Sequence, residues 1–402
     1  MAGTHTHSHS SKSIRRSGRP DDGRRLWVIA VAITAAAVVG VGVAAMTVKA
    51  GSGANPAVAT PTTTTAAADG ALAADTAGPL TVAAATPANQ ASGVPTDATV
   101  SVQFSAPLST NSPQPTITPS VAGSWQLLTP TTFTFVATAP FAPSSTETVT
   151  VPGGAGGITG ATGKTLKDPV NIGFTVAAGS TLRLQQLLAE LDYLPLSFAA
   201  AGPLAAPQEA AQAQQGTFAW RATEPASLQA LWTVGTSNVI TKAAVMTFEN
   251  QSGMTTDGAA GPTVWEKLLA ASAAGTVNQQ PYNYVYVNNA ATNETATVYS
   301  NGSMVYSTPA NTGVPAAETA PGTFPVYVRY TTTTMSGTNP DGSKYVDPGI
   351  KWVSYFNGGD ALHSFPRATY GTPQSVGCVE MPAAAAAAVF PLPPIGTLVT
   401  VS

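Results

Sequence analysis

A chain of 402 residues with a single cysteine has no intrachain partner for a disulfide and too few thiols for a multi-cysteine zinc site. Cys378 is therefore either an inert small hydrophobe or a reactive thiol. The histidines narrow the second possibility. Three of the four, His5, His7 and His9, lie in a polar N-terminal tail, and the fourth, His363, stands fifteen positions before the cysteine. A thiol attacks as its thiolate, and an imidazole brought alongside by a hairpin can supply the base that makes one. Around the pair the chain reads Ala361-Leu-His363-Ser364-Phe-Pro366, then Gly371-Thr-Pro373-Gln-Ser375-Val-Gly377-Cys378-Val-Glu380. Ser364 directly follows the base, where its carbonyl or hydroxyl can orient the imidazole. Gly377 lets substrate approach the backbone, and the amides of Gly377 and Cys378 are candidates for an oxyanion site.

His-Ser, the Gly-x-Pro bend and Ser-x-Gly-Cys-Val resemble the signature of the L,D-transpeptidase catalytic domain, also called the YkuD domain. The resemblance continues upstream through Asn311-Thr-Gly313, Thr319-Ala-Pro-Gly322-Thr-Phe and Lys351-Trp352. It implies that Cys378 is the nucleophile, His363 the base, Ser364 the residue that orients it, and Gly377 part of the oxyanion site. Ser375, Val376, Trp352 and Glu380 would then contact substrate. Two positions depart from the family: its Ser-His-Gly-Cys reads Ser375-Val376-Gly377-Cys378, and Glu380 stands where an Arg or Asn is usual.

The implied reaction is two-step acyl transfer on peptidoglycan. Cys378 attacks the L,D bond of a tetrapeptide stem, releases the terminal D-alanine, and passes the acyl group to an amine of a second stem as a 3→3 cross-link. No metal or organic cofactor is implied, and carbapenem-type β-lactams are expected inhibitors. Two other readings stand beside it: a non-catalytic wall protein that holds glycan and stem peptides, and an L,D-carboxypeptidase that gives the same acyl-enzyme to water.

The elements that must position these residues predict a multidomain, mainly β protein. From 276 to 402, strand patterns such as Tyr284–Val287, Trp352–Phe356 and Thr397–Val401 recur without a long helical stripe, which predicts a β-rich catalytic domain. Residues Tyr327 to Tyr345 read as a lid over the site or a solvated hairpin loop. From 180 to 275 the period turns helical, with Leu184, Leu187, Leu188 and Leu191 on one stripe and Pro262 opening a later helix. That segment resembles the small three-helix peptidoglycan-binding domain, interrupted by an Ala/Gln/Pro-rich insert over 197–216. From 79 to 179, Val100/Val102/Phe104, Phe133/Phe135 and Ile172/Phe174/Val176 alternate as strands of a β-sandwich. This part resembles bacterial immunoglobulin-like modules, with Trp125 expected in its core.

Ahead of it, residues 49–78 read as a flexible stalk rich in Ala, Thr, Gly and Pro. Residues 26–48 form an apolar run of 23 residues, about 34 Å long as a helix at 1.5 Å per residue. Six Lys and Arg residues lie within 1–25, so the expectation is a cytoplasmic tail, a single anchor through the cytoplasmic membrane, and all the rest on the wall side, or secretion after signal cleavage. With 9% charged residues and a net charge of −3, the chain lacks the basic footprint of a nucleic-acid binder.

Overall fold

The computed structural model describes residues 78–402, apart from 205 and 291. The expected cytoplasmic tail, the expected anchor over 26–48 and the expected stalk as far as residue 77 lie outside the described residues. The transmembrane expectation is corrected on one finding: among the described residues no helix is long and apolar enough to cross a membrane.

The first folded part holds β1 (Val82–Thr86), β2 (Ala91–Val94), β3 (Val100–Phe104), β4 (Thr116–Thr118), β5 (Gly123–Thr129), β6 (Thr132–Ala137), β7 (Thr146–Val151) and β8 (Val170–Val176). They form two four-stranded sheets ordered β1-β3-β6-β5 and β2-β8-β7-β4. Period-two alternation explains the pairing of the two sheets. Val100, Val102, Phe104, Phe133 and Phe135 point inward from one, Val149, Val151, Ile172, Phe174 and Val176 from the other, and all are buried in one cluster. Trp125 joins that core, 5.5 Å from the Phe135 ring.

The middle part is more than three helices. After α1 (Thr181–Glu190) come β9 (Leu196–Ala200), a short 3₁₀ turn (Pro207–Ala211), β10 (Gly216–Trp220), α2 (Ala226–Gln229), α3 (Val239–Gln251) and α4 (Pro262–Ala274). Ser180 caps α1 by accepting from the Arg183 amide, Asn238 caps α3 in the same way, and Pro262 opens α4 as its sequence suggests. The expected leucine stripe is buried. The 197–216 insert is not an irregular spacer: its ends pair as the β9–β10 hairpin because Phe198 and Phe218 face each other with ring centroids 5.1 Å apart. The helical core also takes in Tyr284 and Leu398 from the C-terminal part, so the compact three-helix domain of the sequence reading is not what forms.

The C-terminal part holds β11 (Asn283–Asn288), β12 (Thr295–Ser300), β13 (Ser303–Pro309), β14 (Gly322–Pro325), β15 (Val328–Thr338), β16 (Lys344–Asn357), β17 (Asp360–Ser364), β18 (Val379–Met381), α5 (Ala383–Val389) and β19 (Leu398–Val401). One sheet is ordered β13-β12-β11-β19-β14 and the other β15-β16-β17-β18. Val285, Val287, Val298, Val399 and Val401 of the first pack with Phe356, Leu362, Val379 and Met381 of the second, and α5 closes that core with Ala386 and Val389. β15 and β16 extend as a long hairpin, so the Tyr327–Tyr345 segment is mostly paired strand rather than loop.

Candidate functional site

The second sheet brings the cysteine and the histidine to one cleft. β17 and β18 are parallel, with Leu362, His363 and Ser364 opposite Val379, Glu380 and Met381. Side chains alternate along a strand, so Glu380 stands beside His363, and Cys378, two residues earlier, falls on the same face. With the β15–β16 hairpin they line a cleft of about 270 Å³ that includes Tyr345, Asp347, His363, Arg367, Val376, Cys378 and Glu380. The hairpin wall is thus the lid-like element, built from Met335, Asn339 and Ile350 as well.

His363 is 3% exposed, and its Nδ1 lies 3.0 Å from the Ser364 carbonyl oxygen. A carbonyl only accepts, so Nδ1 carries the ring proton and Nε2 keeps a lone pair. The orienting group is therefore the Ser364 backbone; its hydroxyl donates instead to the Lys351 carbonyl at 3.2 Å. Burial holds the imidazole below its ordinary pKa, partly offset by the Ser364 carbonyl and the Glu380 carboxylate.

Cys378 is half-buried, and its thiol donates weakly to the Gly359 carbonyl at 3.6 Å. Burial pushes its pKa up to about 12, and the nearby carboxylates Asp360 and Glu380 push in the same direction. At neutral pH the cleft holds an uncharged thiol and an uncharged imidazole. A thiol in this state can attack only if a base removes its proton as the new bond forms, since no thiolate waits in advance.

Gly377 has φ +106°, and a Cβ there would sit 2.7 Å from Asp360 Oδ1. Only glycine fits this turn without displacing Asp360, whose Oδ2 accepts from the Ala320 amide and the Asn357 side chain, each at 3.2 Å. The rest of the cysteine loop is held from beneath. Ser375 Oγ donates to the Cys378 carbonyl at 2.5 Å, and Thr319 Oγ1 donates to it at 3.4 Å while accepting from the Gly313 amide. Asn311 exchanges two backbone hydrogen bonds with Glu380, each 2.9 Å, and Glu294 accepts from the Thr312 amide and hydroxyl. The Asn-Thr-Gly and Thr-Ala-Pro-Gly stretches are thus the frame of the Cys378 loop.

Of the residues expected to meet substrate, Val376 and Glu380 line the cleft. Ser375 is 1% exposed and works as a strut under Cys378, and Trp352 leaves the cleft to pack on Phe390, with centroids 5.5 Å apart. Glu380 is 4% exposed and held at two points by Arg367, with Nε–Oε2 at 2.7 Å and Nη2–Oε1 at 2.8 Å. Arg367 also donates to the Gln374 carbonyl at 3.0 Å and lies 4.7 Å over the Phe365 ring. Sequence reasoning missed Arg367. The signal was present, since it is the only basic residue between His363 and Cys378.

Residues 282–401 match the family model of the L,D-transpeptidase catalytic domain, and residues 75–176 that of the bacterial Ig-like domain. No curated protein matches the chain. Among solved structures, an L,D-transpeptidase from Mycobacterium smegmatis is 14% identical, covering 81% of this chain and 100% of that one at a TM-score of 0.27. The catalytic domain of an E. faecium L,D-transpeptidase is 24% identical over 31% of this chain and 100% of that one, TM-score 0.28. L,D-transpeptidase 3 from Mycobacterium tuberculosis, solved with a faropenem-derived adduct, is 14% identical, covering 80% and 97%, TM-score 0.28. The chain holds a bacterial Ig-like domain and, over 282–401, a catalytic domain of the YkuD family of L,D-transpeptidases.

Proposed function

We propose that this protein works on the wall side of the cell as a cysteine-dependent L,D-transpeptidase that forms 3→3 peptidoglycan cross-links, in three folded parts spanning 79–179, 180–275 and 276–402. The observation that carries the reading is that His363, with Nδ1 spent on the Ser364 carbonyl and Nε2 free, opens into the same cleft as Cys378. Sγ attacks the carbonyl of the L,D bond while Nε2 takes the thiol proton. The negative charge that develops on the carbonyl oxygen is received by the Gly377 and Cys378 amides. Collapse expels the terminal D-amino acid, whose nitrogen leaves with the proton from Nε2, and a thioester remains. In the second half His363 deprotonates the incoming stem amine, the amine displaces the sulfur, and the thiol regains its proton. Val376 and Glu380 border the donor stem.

A β-lactam carbonyl presents the same electrophile, and opening its ring leaves a thioester on Cys378. Intact-protein mass spectrometry after exposure to a carbapenem tests this: one adduct of the drug's mass is expected on the wild type, none on Cys378→Ala, and a much slower one on His363→Ala. An unmodified wild type, or an adduct that survives Cys378→Ala, would sink it. Incubation with disaccharide-tetrapeptides then separates the acceptors, since a cross-linked dimer supports transpeptidation and a tripeptide monomer alone supports hydrolysis.

A further inference from the structure

A second cleft, of about 580 Å³, lies where the end of α1, the end of β10 and the start of β11 meet, and it shares no residue with the Cys378 cleft. Its volume falls within the roughly 300–1,000 Å³ of small-molecule sites. Two of its lining side chains carry buried polar atoms with no hydrogen-bond partner, Glu224 Oε2 and Tyr282 Oη. Glu224 is 4% exposed, and leaving such an oxygen unmatched is costly enough that native proteins rarely do so without a reason.

The surroundings say what would match it. Arg221, the only cation in the lining, is already paired with Asp192 and donates to the Ala189 carbonyl at 2.7 Å, so no free positive charge awaits an anion. The Glu224 carboxyl would repel one. Burial raises the pKa of Glu224, and burial together with Glu224 raises that of Tyr282, so the cleft opposes added charge. The remaining lining is amide-rich, with Gln279, Gln280 and Asn301, and Pro195 and Pro281 offer flat apolar faces. An acceptor, a phenol and amides around proline faces suit a ligand that carries donors and acceptors on adjacent carbons of an apolar ring.

We propose that this cleft binds a neutral sugar unit of a glycan strand, an N-acetylhexosamine, with one hydroxyl donating to Glu224 Oε2 and a neighbouring oxygen accepting from Tyr282 Oη. The wall glycan as its source rests on the wall-acting function proposed above; the sugar chemistry does not. The probe is triacetylchitotriose, titrated calorimetrically into the full chain carrying Cys378→Ala, with cadaverine as a cationic control. Saturable binding of the trisaccharide is expected, weakened about tenfold or more by Glu224→Gln and by Tyr282→Phe, as for loss of one hydrogen bond to a buried partner. In a Cys378 background both variants should still take a carbapenem at the wild-type rate, which reports an intact fold. No binding of the trisaccharide, undiminished binding in either variant, or preference for cadaverine overturns the proposal. A failure of carbapenem acylation in the wild type bears on the cysteine chemistry alone, because the titration does not use it.

Discussion

At neutral pH neither Cys378 nor His363 carries charge, which fixes how acylation must respond to pH. In the proposed mechanism His363 serves as base only when unprotonated, and burial holds its pKa below the ordinary imidazole value of about 6.5. The acylation rate should therefore climb to a plateau with a midpoint below 6.5. With the thiol pushed up to about 12, no second rise should occur near the ordinary thiol value of about 8.5. Carbapenem adduct formation timed by mass spectrometry from acid to mildly alkaline pH checks this; a limb near 8.5 would mean a pre-formed thiolate. Beside them, Glu380 is tolerated because Arg367 neutralises it. Arg367→Met should cost about 3 kcal/mol in urea unfolding, the low end for a broken buried pair since the guanidinium is 28% exposed, and Arg367→Met/Glu380→Met should recover much of the loss. The proposed nucleophile and base were legible because each was the only residue of its type outside the tail. The pairing of Arg367 with Glu380 was not, because it forms across a turn whose path no periodicity encodes. Trp352 misled for a related reason: its φ of +61° turns it out of strand alternation and toward Phe390.

Among the elements, the parallel β17–β18 pair aims the chemistry and the loop between them sets its fine geometry. Gly377→Ala should leave the fold cooperative yet slow carbapenem acylation by orders of magnitude, since the new Cβ would displace Asp360 and with it the amides beside the sulfur. Near-wild-type acylation in that variant would show that the turn relaxes. Strands with large alternating side chains were readable directly, as Val100 to Phe104 and Ile172 to Val176 illustrate. The β9–β10 hairpin and α5 were hidden. In the first, Phe198 and Phe218 are the few informative residues in a stretch of alanine and glutamine; in the second, an alanine run has no polar face to set a period.

On the scale of the whole molecule, the Ig-like core and the core of the catalytic sheets are separate clusters, so damage to one should spare the other. Phe174→Ala, at 2% exposure, should destabilise the Ig-like domain by about 3–5 kcal/mol and lower its thermal midpoint, while Cys378 still takes a carbapenem at the wild-type rate. A parallel fall in acylation would reveal coupling between the two. The catalytic domain itself is knit differently. β19 lies between β11 and β14, with Val285 paired to Val399, so a central strand of the sheet is contributed by residues 398–401. During synthesis β11 must wait for nearly the whole domain to be made before that neighbour arrives, and the cysteine leaves the ribosome before the sheet beneath it is complete. The cleft's support is thus completed late and all at once: a chain interrupted short of β19 would carry the thiol and the imidazole yet lack a central strand of the sheet packed behind them.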